Sequence, residues 1–296
     1  MATIKGKFLS GLLGNMVYKQ HQGKQVIQSK PYTPKNHLTE GTVKASKIFG
    51  RASSLSRCIR EGLFGAYGKF YDGTMIYRLN AIVLNCLLSC KDSATQDFHI
   101  NDETFKPLAG FEFNAGSPVK YQLFKRPVIT ASDTKLNITI PEMQIPKELK
   151  FEAKSSACKL IVAVAVIDFV HGSMKYVPAQ MMEIEHSYQP TTSTAKTFEF
   201  ETAPGCLCII AISLQYVEKT FAGDFIINNK SFNPAAILRA YLSDGEVIAA
   251  EKDIYWNDID FKAESVKPKA KNVKAALESG KIIGHAPKLI KKKGRD

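Results

Sequence analysis

The sequence predicts a mainly β protein with an α-helical N-terminal region: one or two immunoglobulin-like antiparallel β-sandwiches, preceded by a basic β-hairpin arm and two helices. Three observations carry this. From about residue 105 onward, runs rich in β-branched residues recur about every 10 to 15 residues with Pro, Gly and Asn between them, and no long helical segment intervenes. Before them lie two stretches with helical apolar spacing, 38–63 and 74–90. The opening stretch, IKGKFLSGLLGNMVYKQHQGKQVIQSKPYTPKN (4–36), is unlike both, with six lysines, four glycines and no acid. The implied organisation is an arm over 1–37, a helical segment over 38–92, a β-sandwich region over 93–260 and a basic tail over 261–296.

Each element follows from local chemistry. Met16–Gln20 and Lys24–Ser29 alternate weakly around HQG, where the glycine suits a tight turn. KPYTPKN is extended, because a residue before proline is pushed out of the α region. In 38–63, Thr39 or Thr42 is a candidate cap, and Val43, Ile48, Leu55, Ile59 and Leu63 form an apolar stripe with Lys44, Lys47, Arg51, Arg57 and Arg60 mostly off it. GLFGAYGKFYDG interrupts, since each helical glycine costs roughly 1 kcal/mol against alanine. Further on, LNITIPEMQI, TFEFET and Glu183–Ile184–Glu185 alternate, while CKLIVAVAVIDF and CLCIIAISLQYVE are continuously apolar and place Val164 and Ile210 in the core. The tail holds NVKAALESGKIIG, a short helix candidate, and too few apolar residues for a core of its own.

Composition excludes more than it identifies. No apolar run approaches the roughly 20 residues of a membrane-spanning helix. FLSGLLGNMV, broken by Gly11, Gly14 and Asn15, is a poor signal peptide with no small-x-small site after it. Synthesis and folding in the cytoplasm are expected, with a virion or an extracellular assembly open as the final location. Cys58, Cys86, Cys90, Cys158, Cys206 and Cys208 form no C-x-x-C pair and have apolar neighbours, which reads as buried free thiols. The six histidines are too scattered to complete a zinc site, so no metal and no cofactor are expected.

The net charge of +12 is segregated. Residues 1–91 carry 14 Lys/Arg against 3 acids and residues 261–296 carry 11 against 3, whereas the middle carries 15 against 22. Two basic ends flanking an acidic body suggest a polyanion partner, or contact between the ends of one copy and the body of another.

Catalytic motifs are missing. Gly6-Lys7 and Gly23-Lys24 precede neither Ser nor Thr, so there is no Walker loop, and G-x-G-x-x-G, G-x-S-x-G and H-E-x-x-H do not occur. Glu183 and Glu185 share a strand face as solvent-side acids, and His171 in DFVHGSMKY is a hairpin-turn residue. The chain is therefore not expected to be an enzyme. Basic and aromatic residues interleave at Tyr18, Tyr32, Tyr67 and Tyr71, suited either to base stacking or to packing on a neighbouring surface.

Gly11, Gly14, Val17 and Tyr18, then Gly23, Lys24, Val26 and Ile27, then Pro31, Thr39 and Arg51 fit a pattern G-x-x-G-x-x-V-x-Y, G-K-x-V-I-[RK], a proline, a Thr-containing link and an Arg-rich helix. This opening resembles an uncharacterised family of bacterial proteins common in Bacteroidota, partly phage-associated. The likeness covers roughly the first 60 residues and departs at Gln28 and at Glu40-Gly41. It implies an arm followed by an immunoglobulin-like body with no assigned catalytic residue.

The expected function is a non-enzymatic structural protein that assembles into a homomeric particle, tube or filament. Its contacts, to other copies or to a polyanion, are expected at Lys5, Lys7, Lys19, Lys24, Lys30 and Lys35 of the arm and at Lys288, Lys291, Lys292, Lys293 and Arg295 of the tail. The alternative is a nucleic-acid-binding protein that uses the same basic ends with the interleaved tyrosines.

Overall fold

The computed structural model describes residues 2–21, 23–30, 38–132, 134–246 and 256–267. The chain divides into two compact units, Met1–Ala45 and Ser46–Asp296.

In the first unit, β1 (Thr3–Lys5), β2 (Phe8–Leu13), β3 (Met16–His21) and β4 (Lys24–Ser29) form an antiparallel meander in that order. The expected hairpin is only its second half. Sequence patterning misses β1 and β2 because glycines interrupt their alternation: Gly6 and Gly14 sit in turns, and Gly11 lies within β2. Leu13 stands opposite Met16, so Gly14-Asn15 is a two-residue turn, and Gly14 has the positive φ of 58° such a turn needs.

α1 (Glu40–Gly62) is capped by Thr39, whose Oγ1 accepts the Thr42 N–H at 3.2 Å. It buries Ala52, Leu55, Ser56, Cys58 and Ile59. The stripe expected from Val43 therefore starts only at Ala52, and Val43 and Phe49 stay exposed. After the one-turn α2 (Phe64–Tyr67), α3 (Met75–Ser89) buries Met75, Leu79, Val83, Cys86 and Leu87 at helical spacing.

The remaining strands are β5 (His99–Asn101), β6 (Val128–Ala131), β7 (Lys135–Ile140), β8 (Met143–Ile145), β9 (Ala157–Asp168), β10 (Ser173–Lys175), β11 (Gln180–Glu185), β12 (Thr191–Ser193), β13 (Lys196–Glu201), β14 (Leu207–Thr220), β15 (Gly223–Ile226), β16 (Ala235–Leu242), β17 (Trp256–Asp258) and β18 (Ser265–Lys267). β9 and β14 are the axis of a seven-stranded sheet, antiparallel from Leu207 opposite Ile167 to Val217 opposite Ala157. β10 and β11 share the far edge of β9, β15 and β16 share that of β14, and β17 lies beyond β10. The sheets are antiparallel apart from the short β5–β18 pair, which is parallel.

Both faces of the β9–β14 pair are covered, which is why these strands read as apolar runs and not as alternation. Ala163, Ala165, Ile167, Ile209 and Ala211 join one buried cluster with the helices. Leu160, Val162, Val164, Val166, Ile210 and Ile212 join another with Ile138 of β7 and Phe198 and Phe200 of β13. Small residues on the first face let the helices approach closely. A Cβ on Gly62 would lie 2.7 Å from the Ala165 Cβ. The second unit thus has three layers, helices on sheet on sheet, whereas a two-sheet sandwich leaves both outer faces to solvent.

The helical segment is not separate from the β region. Asn233 Nδ2 donates to the carbonyls of Tyr67 at 2.9 Å and Phe70 at 2.6 Å, and its Oδ1 accepts from Asn228 Nδ2 at 2.7 Å. Asn228 Nδ2 also donates to Leu214 O of β14 at 2.8 Å, so two buried amides tie the interhelical link to the central sheet. Nor does the body end at residue 260. Phe261 and Ala263 are buried, and Phe261 meets the rings of Phe98 and Phe169.

Candidate assembly surface

The N-terminal sheet contains no buried residue among those described from 2 to 30; each is exposed or half-buried. Register sorts its side chains onto two faces, since directly opposed residues of antiparallel strands point the same way. Over the paired part of β2, β3 and β4, one face carries Leu13, Met16, Tyr18, Gln20, Gln25, Ile27 and Ser29, with no charge. Leu13, Met16 and Ile27 are 56%, 47% and 54% exposed, so this apolar face is open. The other face carries Lys19, His21 and Lys24 beside Leu12, Val17 and Val26. Where β2 and β3 part beyond Gly11, the Gln25 amide bridges the gap: Leu9 N–H donates to its Oε1 at 2.8 Å, and its Nε2 donates to Leu9 O at 3.1 Å.

The sequence-predicted contact residues fall into three groups. Lys5, Lys7, Lys19, Lys24 and Lys30 are exposed on this sheet and its turns, with Lys7 Nζ 5.4 Å from the centre of the Phe8 ring. Tyr18 is half-buried on the uncharged face, on the opposite side from Lys19 and Lys24. Lys35, Tyr32, Lys288, Lys291, Lys292, Lys293 and Arg295 lie outside the described residues.

Tyr67 packs inside the core, and Tyr71 lies at its margin. Tyr67 is 6% exposed and stacks on Phe113 with centroids 4.4 Å apart, and its hydroxyl donates to Arg60 O at 3.1 Å. Burial pushes its phenol up to about 12. Tyr71 is half-buried against the same cluster. The interleaving of tyrosine and lysine in GAYGKFYDG reflects packing of the link onto the sheet.

A second exposed surface was not legible in the sequence. Beyond the reach of the helices, β9, β11, β14 and β15 carry an ion ladder. Lys159 Nζ lies 2.8 Å from Asp224 and 4.0 Å from Glu183, and Lys219 Nζ lies 2.5 Å from Glu183 and 3.4 Å from Glu185. Glu183 and Glu185 thus share a strand face, as their spacing implies. The β14–β15 hairpin ends in a fully exposed Phe221, and Phe225 and Ile226 are about half exposed. Only the pairing of β14 with the short β15 creates this patch, so nothing local in the sequence announces it.

Asp168 and His171 meet at the end of β9. Asp168, 5% exposed, accepts the Val170 N–H at 2.8 Å and the His171 N–H at 3.1 Å, and His171 Nδ1 lies 2.6 Å from its other oxygen. It pins the β9–β10 turn. All six cysteines are free and buried, and burial raises every thiol pKa, Cys90 to about 11 and Cys86 and Cys208 to about 12. Among the described residues, no group of three or more His, Cys, Asp and Glu is arranged to hold a metal, and no helix is long and apolar enough to cross a membrane. An open hollow of about 420 Å³ is lined by Arg57, Arg60, Glu61, Phe64 and Tyr67, with Arg57 and Glu61 paired at 2.7 Å.

Comparison with protein-family models, curated proteins and solved structures finds no match to this chain.

Proposed function

We propose that this chain is a non-enzymatic structural subunit that assembles with copies of itself, and that its N-terminal sheet is the docking element. The observation that carries this is the sheet itself: four strands with no buried side chain, five lysines without an acid, and one open uncharged face holding Leu13, Met16 and Ile27. A sheet gains stability by covering an apolar face, and this one has no fully buried residue among those described. The lysines make the acidic body of a second copy an electrostatically suitable partner. Within this reading the immunoglobulin-like character is confined to the two facing sheets of the body, and the closed structure would be a particle, tube or filament. The resemblance to the Bacteroidota family points the same way.

The nucleic-acid reading keeps one supporting feature, the Lys19, His21 and Lys24 face. It loses base stacking by Tyr67, which is core. Light scattering on the full-length chain after size exclusion, with and without nuclease, separates the two. Self-assembly gives nuclease-resistant species much larger than one chain. A nucleic-acid binder gives a large species that collapses on digestion, and its affinity falls steeply with salt.

A further inference from the structure

Both units expose a sheet edge, and hydrogen-bond alternation identifies the groups each presents. Lys30 N–H donates to Asn15 O at 2.6 Å, so with the β3–β4 register the inward-bonded residues of β4 are Lys24, Val26 and Gln28. Gln25, Ile27 and Ser29 direct their N–H and C=O groups outward, and β4 has no partner on that side among the described residues. In the hairpin, Ile227 N–H donates to Tyr216 O at 2.9 Å, which makes Phe225 the inward-bonded residue opposite Glu218. Asp224 and Ile226 point their backbone groups outward from β15, likewise an edge. Unpaired edges with exposed apolar side chains are templates for another strand.

Their charges are complementary. The N-terminal sheet and its turns carry Lys5, Lys7, Lys19, Lys24 and Lys30 and no acid. The hairpin ladder carries Glu183, Glu185, Glu218 and Asp224 against Lys159 and Lys219. Two N-terminal sheets brought edge to edge would repel, whereas a basic β4 against an acidic β15 attracts.

We propose that the β15 edge of one copy receives the β4 edge of another, continuing the seven-stranded sheet into the neighbour's four-stranded sheet. The contact is heterologous, because the surfaces differ, so repetition produces a ring or an open filament. This rests on the assembly reading above and specifies its receiving surface.

The test uses full-length chains. Ile226→Pro removes an outward N–H that β14 does not use, and Ile27→Pro does the same for β4. Each is expected to raise the concentration needed for assembly roughly tenfold or more, as loss of an edge ladder implies, with the body's melting transition unchanged. In parallel, chains carrying one added cysteine at Gln25, Ile27 or Ser29 are mixed with chains carrying one at Asp224 or Ile226 and mildly oxidised; the six native thiols are buried and leave a low background. Disulfide-linked mixed dimers at one register are expected. Assemblies that form undiminished in both proline variants, with no mixed dimer, would overturn the β4–β15 contact and leave the assembly reading standing. A wild-type chain that stays monomeric at all concentrations would overturn both.

Discussion

At the residue scale, two carboxylates near the helix–sheet junction have opposite environments and make opposite pH predictions. Burial drives Glu112 up to about 7, against the Val119 N–H that it accepts at 3.2 Å and the charges of Lys120 and Arg78. The folded chain keeps a proton that the unfolded chain releases above 4.5, so Glu112 favours the fold at low pH and that contribution is lost as pH rises through about 7. Glu112→Gln is expected to flatten the melting temperature between pH 4.5 and 7 and to raise it at pH 8; an unchanged profile would contradict the assignment. For Asp72, burial raises the pKa but is outweighed by hydrogen bonds from Ala115 N–H and Thr74 and by the charge of Arg78, 2.5 Å away, leaving it at about 2. Its contribution is present above 3.8 and is lost as pH falls through about 2. Asp72→Asn is therefore expected to lower the melting temperature at pH 7 while wild type and variant converge near pH 2. The thiols give a further check: native protein should react slowly with a thiol reagent and denatured protein should show all six.

At the element scale, the most apolar strands were the most legible. CKLIVAVAVIDF and CLCIIAISLQYVE are β9 and β14, and Val164 and Ile210 are 0% exposed. Replacing either with Asp buries an unpaired charge, at a cost on the order of several kcal/mol; a soluble, cooperatively melting variant would refute the core. What the pattern did not reveal is what covers each face. Continuous apolarity says that both faces are buried, but not that helices take one of them. The alanines at 163, 165 and 211 and the glycine at 62 carry that information only once paired in space. Gly62→Val is expected to cost about 1–3 kcal/mol through overpacking against Ala165, and a neutral result in thermal unfolding would mean that the helix does not lie that close. β1 and β2 were illegible for a local reason: β1 has only three residues, and Gly11 interrupts the alternation of β2.

At the scale of the whole molecule, charge segregation was readable from the sequence, and the division of the chain after Ala45 places the acid-free opening stretch within a compact unit of its own. Its strands hold no buried side chain among the described residues, whereas helices and sheet share one core in the second unit, and the proposed docking role of the first unit rests on that contrast. The most direct measurement is sedimentation velocity of the full-length chain and of a chain lacking residues 2–37, each paired with a thermal melt. Docking through the N-terminal sheet requires large species for the full-length chain, monomers for the truncated one, and the same cooperative melting transition in both. A truncated chain that assembles as before, or that loses its melting transition altogether, would contradict it.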